Sequence, residues 1–246
     1  MMNAIEIHNL TKEYNGLLAV DRISFNVYPG EIFGYLGPNG AGKTTTIRML
    51  TGQLRPTSGQ ASVMGCDVVT ERDAFKPLIG VVSDSQNLYG RMSALDNLRF
   101  FARLYGVNKR RVDEVIGLVG LNSRQKNKVE TYSNGMKQRL IIGRALLHQP
   151  KVLFLDEPTR GLDPNVAREV RALVQQLAAE GMTVFLTTHY MEEADQLSNR
   201  VAIIHQGRII ALDTPELLKA AHSEGQPVTL EDVFVKLTGH YLGHGE

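Results

Sequence analysis

Five apolar or aromatic residues, Ile32-Phe33-Gly34-Tyr35-Leu36, run straight into Gly37-Pro38-Asn39-Gly40-Ala41-Gly42-Lys43-Thr44, and residues 45–50 then read as the start of a helix. A buried strand, a glycine-rich turn and a helix in direct succession leave a chain few ways to fold. The turn lets backbone N–H groups converge with no side chains between them, and the helix start adds its partial positive charge. The stretch from Gly37 to Thr44 is therefore suited to cradling phosphate. Lys43 is expected at the outer phosphates and the Thr44 hydroxyl on Mg²⁺.

The remaining pattern supplies a sheet for this strand to join. Residues 5–10 and 23–28 alternate as half-exposed strands, Pro56-Thr57-Ser58-Gly59 reads as a turn before another strand, and 79–82 is a short β-branched run. Ser93 and Asp96 pattern as a capping box at the head of a helix over 93–105, and 111–119 and 136–147 give two more amphipathic helices. Strand character returns at 152–155, 184–186 and 201–204. Asp163 and Pro164 start a helix that stops at Gly181, Thr214-Pro215-Glu216 caps another, and Thr229 with Asp232 caps a last one. This alternation implies an α/β fold, a mostly parallel sheet covered by helices, with a helical lobe inserted between β-rich halves. A chain of 246 residues, 43% hydrophobic, suits one such domain.

Charge and cysteine content exclude several classes. A formal net charge of +1 gives no electrostatic reason to expect nucleic acid as a partner. Cys66 is the only cysteine, so an intramolecular disulfide and a cysteine-rich metal site are ruled out. It is expected as a small buried apolar residue in a protein of the reducing cytoplasm. Glu6 and His8 interrupt the one early apolar run, which argues against a signal peptide, and no stretch is long enough to span a bilayer. Work at a membrane would need another polypeptide to carry the chain there.

Four further features carry potential chemistry. The apolar run at 152–155 ends in Asp156-Glu157, two carboxylates at the carboxyl end of a strand, the edge where open α/β sheets bind ligands. Beside a phosphate cradle, Asp156 suits Mg²⁺, directly or through water, and Glu157 suits a base that orients water at a terminal phosphate. His189, after a strand and two threonines, fits a phosphate contact, although a lone histidine is more often a surface or capping residue. Ser133 and Gly135 at the head of the third lobe helix form a second anion site or a plain N-cap, and on spacing alone the cap is favoured. Tyr14 fits a base-stacking ring or a solvent-facing tyrosine equally well.

Taken in order, these residues resemble the nucleotide-binding subunit of an ABC transporter over essentially the whole chain. The order is Tyr14 at the aromatic loop, the P-loop at 37–45, the signature at 132–136, Walker B ending in Asp156-Glu157, the D-loop Gly161-Leu162-Asp163 and the switch histidine His189. Lys137-Gln138-Arg139-Leu140 after the signature and Leu155-Asp156-Glu157-Pro158-Thr159 at Walker B make the likeness specific. The resemblance implies a RecA-like P-loop core with an N-terminal antiparallel β subdomain. It places the catalytic core at 1–85 and 150–246 and a helical signature subdomain at 86–149. It also implies ATP stacked on Tyr14 and its phosphates and Mg²⁺ handled by Lys43, Thr44 and Thr45. In this scheme Glu157 is the catalytic carboxylate, His189 the γ-phosphate contact and Asp163 the link across a dimer. Family cassettes pair head to tail, so Ser133, Asn134 and Gly135 of one chain would complete the site of the other. The implied partners are a second cassette, identical or related, and a separate integral-membrane permease at the cytoplasmic face of the cell membrane.

Two departures stand out. The usual signature Leu-Ser-Gly-Gly-Gln is replaced at Tyr132, Asn134 and Met136; Asn tolerates left-handed backbone, so Asn134 is expected to keep the loop's shape. Such variants, like the ending Thr229-Leu230-Glu231-Asp232-Val233-Phe234, resemble drug, antibiotic and sodium exporters. The family's Q-loop glutamine falls on Asp84, a second Mg²⁺-approaching carboxylate, with Gln86 two residues later as the other candidate. The alternative function is an ABC ATPase acting on ribosomes or DNA. Against it stand the single cassette, the absence of a coiled-coil insertion and the near-neutral charge. A GTP switch is disfavoured because Asn127-Lys128-Val129-Glu130 carries Glu where the guanine-reading motif has Asp.

Overall fold

The computed structural model describes residues 2–83, 88–223 and 226–239. Strands β1 (Ile5–Tyr14) and β2 (Leu17–Val27) form a hairpin, followed by β3 (Ile32–Leu36) and helix α1 (Lys43–Leu50). Then come β4 (Ser58–Val63), β5 (Cys66–Asp67), the short helix α2 (Arg72–Phe75) and β6 (Ile79–Val82). Three helices follow, α3 (Ala94–Leu104), α4 (Lys109–Leu118) and α5 (Asn134–Leu146), before β7 (Val152–Asp156). The chain continues through α6 (Pro164–Ala179), β8 (Thr183–Thr188), α7 (Met191–Leu197), β9 (Arg200–His205), β10 (Arg208–Asp213), α8 (Pro215–His222) and α9 (Leu230–Thr238).

These strands make two sheets. One is antiparallel, in the order β2-β1-β4-β5; the other runs β10-β9-β3-β8-β7-β6, parallel throughout except for the edge strand β10. Strands β3, β7 and β8 are buried on both faces, which is why they read as continuous apolar runs. Between the sheets, Phe25 lies flat on Phe33 with ring centroids 5.0 Å apart, and Phe185 packs against both Phe33 and Tyr35. On the other face of the parallel sheet, Leu153, Leu155, Val184 and Leu186 share one apolar cluster with Leu98, Val115, Leu140 and Val170 of the helices. The helices between β6 and β7 are thus seated on the sheet by a common core.

The element types follow the sequence pattern, with local differences. Ser58 and Gly59 belong to β4 instead of a turn, because Gly59 sits against the backbone of β1: a Cβ there would lie 2.2 Å from the Asn9 carbonyl oxygen. Ser93 does cap α3, accepting the Asp96 N–H at 3.1 Å, but the Asp96 carboxylate takes the Ser93 hydroxyl at 2.6 Å; its other oxygen faces Arg99. The reciprocal capping box is completed at Thr229 and Asp232. Cys66 is half-buried and free. Strand β10 pairs with β9 across the two-residue turn Gln206-Gly207, and the pattern reading contained no counterpart for it. Among the described residues, no helix is long and apolar enough to cross a membrane.

Candidate functional site

Strand order brings the candidate residues together. Strand β8 lies between β3 and β7, with Leu36 opposite Thr188 and Asp156 opposite Thr187. The segments leaving the carboxyl ends of three adjacent parallel strands therefore start at one level: the glycine turn after β3, Glu157 after β7 and His189 after β8. This is the edge at which such sheets take ligands.

The glycine turn is shaped by contacts that admit no side chain. Gly42 has φ +107°, and a Cβ on it would lie 2.5 Å from the Ala19 carbonyl oxygen of β2. As the residue before α1 it offers no capping side chain, so the first N–H groups of the helix face the turn. Lys43 is buried and donates to the Gly37 and Pro38 carbonyls at 2.7 and 3.1 Å. Its Nζ also stands 3.1 Å from Glu157 Oε1.

Glu157 is the junction of the site. Its other oxygen, Oε2, lies 2.9 Å from His189 Nδ1 and 3.9 Å from Arg160 Nε. Its backbone is left-handed, φ +50°, a conformation that costs a non-glycine residue about 1–3 kcal/mol and aims the side chain back over the cradle. Thr187 holds that bend: the Glu157 N–H is shared between the Thr187 carbonyl at 3.1 Å and its hydroxyl oxygen at 3.2 Å. The same hydroxyl donates to Asp156 Oδ1 at 2.6 Å. One threonine on β8 thus sets both carboxylates of the acid pair.

A cavity of about 190 Å³ opens over this junction, lined by residues of the glycine turn, Thr44 and Thr45, Asp156, Glu157, Arg160 and Ala19. The Thr44 hydroxyl and the Asp156 carboxylate both line this cavity and supply oxygen donors. That set fits Mg²⁺, which takes one or two protein oxygens and fills its remaining positions with water and phosphate. Behind the site, Thr159 donates to Glu193 Oε1 at 2.7 Å. Burial pushes the Glu193 carboxyl above its usual range, and the side chains of Thr188 and Thr159, with the charges of Arg171 and His189, only partly oppose this.

The other expected residues lie apart from the cavity. Tyr14 ends β1 at the two-residue turn Asn15-Gly16, 41% exposed, with Lys12 Nζ 5.0 Å from its ring centroid. Ser133 caps α5, accepting the Met136 N–H at 3.3 Å, and both it and Asn134 are exposed. Asn134 is helical, not left-handed, so the reason anticipated for its tolerance does not apply. Gly135 is needed for proximity: a Cβ would lie 1.9 Å from Val166 Cγ1 of α6. Asp163 occupies the N-cap position of α6 but spends no side-chain bond there and is exposed. Asp84 and Gln86 fall outside the described residues. Thr187, Arg160 and Glu193 were not anticipated. The hydroxyl run Thr187-Thr188 beside the acid pair was the available signal for the first.

Comparison with known proteins places the whole chain in a family. The ABC transporter family profile matches residues 20–160. The chain is 43% identical to the bacitracin transport ATP-binding protein BcrA of Bacillus licheniformis, over 85% of this chain and 69% of that protein. It is 44% identical to the daunorubicin/doxorubicin resistance ATP-binding protein DrrA of Streptomyces peucetius, over 89% of this chain and 67% of that protein. Against the probable multidrug ABC transporter ATP-binding protein YbhF of Escherichia coli it is 41% identical over 95% of its length, which is 41% of YbhF. A solved ATP-binding subunit of an ABC transporter superposes with a TM-score of 0.83 at 27% identity, covering 96% of this chain and 99% of the other. CbiO1 of Clostridium perfringens, part of an ABC transporter complex, gives 0.83 at 27% identity over 89% and 92%. With a profile spanning more than half its length and relatives above 40% identity over most of it, the chain belongs to the ABC transporter family.

Proposed function

We propose that this chain is the ATP-hydrolysing cassette of an exporter, working with a second cassette and a separate membrane permease at the cytoplasmic face. The observation that carries this reading is the Glu157 carboxylate, aimed over the phosphate cradle and flanked by Lys43 and His189 at 3.1 and 2.9 Å. Phosphate entering the cradle would take Lys43 and the α1 N–H groups. Glu157, released from Lys43, would then accept a proton from water attacking the terminal phosphorus, and His189 would donate to the phosphate. Thr44 and Asp156 would hold Mg²⁺, which when bound neutralises charge on the phosphate oxygens.

The cavity is smaller than the roughly 300–1,000 Å³ of most ligand pockets, and Ser133, Asn134 and Gly135 line none of it. A site half enclosed on one cassette, with a capped helix end exposed elsewhere, supports closure of two cassettes head to tail around ATP. Tyr14 would stack on the base and Asp163 would sit at the joint. The transport, resistance and multidrug names of the relatives support export of a drug-like or antibiotic compound. Phosphate release from the purified chain, alone and beside a permease encoded next to it, tests the proposal. Failure to cleave ATP in both settings would end it.

A further inference from the structure

Glu193 has no part in the chemistry above, yet it stands behind the carboxylate–histidine pair. It is 2% exposed and lies within α7, and its neighbour Ala194 is fully buried in the cluster formed with Leu36, Val201 and Phe234. Its anchorage is therefore firm. Its carboxyl receives the Thr159 hydroxyl at 2.7 Å, from a buried threonine in the turn that follows Glu157. That turn is closed by Arg160 N–H to the Glu157 carbonyl at 3.2 Å and Leu162 N–H to the Thr159 carbonyl at 3.1 Å. Glu193 itself sits in the first turn of α7, which starts at Met191, two residues after His189. The Thr188 hydroxyl accepts the Tyr190 N–H at 3.0 Å, and the Tyr190 carbonyl accepts the Ala194 N–H at 3.2 Å, so the segment around His189 runs directly into the helix that carries Glu193. Thr188 immediately precedes His189.

We propose that Glu193 is a positioning residue: its buried carboxyl ties the turn after Glu157 to the head of α7, two residues past His189, and so holds the Glu157 and His189 side chains at 2.9 Å. Two loops that leave different strands need a common tether if their tips are to keep one spacing through a cycle of cassette closure and opening. The consequence for catalysis rests on the reading given under Proposed function; the tether itself does not.

Hydrogen–deuterium exchange on the unliganded full-length chain tests the tether without activity. In Glu193→Ala, the Arg160, Leu162 and Tyr190 amides should exchange about tenfold faster while the interior amides of β7 and β8 keep their protection. Glu193→Gln, whose amide oxygen still accepts the Thr159 hydroxyl, should recover most of that protection. Thr159→Val should loosen Tyr190 although it touches only the other loop, and it serves equally if the Ala variant does not fold. In steady-state assays, kcat of Glu193→Ala should fall about tenfold with the ADP Kd held within about twofold. Unchanged exchange at these amides, loss spread evenly over the sheet, or a Gln variant as loose as the Ala one would overturn the assignment. A wild-type chain that binds ADP but never cleaves ATP would remove the functional reading alone, leaving exchange to decide the role of Glu193.

Discussion

Lys43 Nζ and Glu157 Oε1 stand 3.1 Å apart, so the cation of the phosphate cradle and the carboxylate after β7 neutralise each other in this structure. Both are nearly buried, and such a pair is stable only when each member keeps its partner. In the proposed mechanism, incoming phosphate would compete with Glu157 for Lys43. Removing either member should therefore separate binding from turnover in different ways. Lys43→Ala should weaken ATP binding and lower turnover about 10²–10³-fold, the usual loss for a charge donor to the reacting group. Glu157→Gln should still bind ATP, accumulate a nucleotide-bound dimer visible by size-exclusion chromatography, and lose turnover about 10²–10⁴-fold. A fully active, monomeric Glu157→Gln protein would contradict the mechanism.

Thr187 is expected to matter more than its position inside a strand suggests. Its hydroxyl donates to Asp156 at 2.6 Å and accepts the Glu157 N–H at 3.2 Å. Thr187→Val keeps the volume and deletes both bonds, leaving a buried carboxylate short of a partner. A loss of about 1.5–3 kcal/mol in denaturant stability is expected, by analogy with other hydrogen bonds to charged groups. Mg²⁺-dependent nucleotide binding should weaken as well. Unchanged Mg²⁺ dependence in a destabilised Thr187→Val protein would show that Asp156 is held by other means.

Gly135→Ala should be destabilising although alanine is the better helix former. Its Cβ meets Val166 Cγ1 at 1.9 Å, and overpacking of this kind costs about 1–3 kcal/mol. Val166→Ala removes the obstructing methyl groups, so the double variant should recover most of the loss. Thermal melts of the two single variants and the double variant form a complete cycle. Additive losses would refute the contact.

Stability should depend on pH through Glu193. Its folded-state affinity for a proton is raised above the ordinary value of 4.5 by burial, despite the opposing Thr188, Thr159, Arg171 and His189. Stability from this group is complete below pH 4.5 and is lost as pH rises through the raised value. Glu31, buried against Arg200, shifts in the same direction, so the comparison must isolate one residue. The Tm of Glu193→Gln minus that of the wild type should grow from pH 4.5 towards 7. A difference that shrinks with rising pH would reverse the sign of the argument.

The central strands, the glycine turn and the acid pair were legible because each is local: five apolar residues ending in a carboxylate describe a buried strand and its exit. The helix starts at Asp163, Thr214 and Thr229 were legible for the same reason. Strand β10 was not, because its residues are only half-buried and its pairing is set by the turn Gln206-Gly207. The Asn15-Gly16 turn that places Tyr14 was an available signal of the same kind. Thr187, Arg160 and Glu193 matter through neighbours 30, 3 and 34 residues away. No periodicity encodes these pairings: the order of elements in the sheet brings Thr187 and Glu193 to the site, and the turn after β7 brings Arg160. Ser133 reads as a cap from sequence and is one in the structure, and any second duty it has lies with another molecule.

The missing side chain at Gly135 has a mechanical outcome. It lets Val166, in the first turn of α6, press directly on the start of α5, and Arg139 reaches Glu169 between the same two helices at 3.5 Å. Ser133 and Asp163, the residues that open those helices, consequently share one stiff bracket, and neither can swing without dragging the other along.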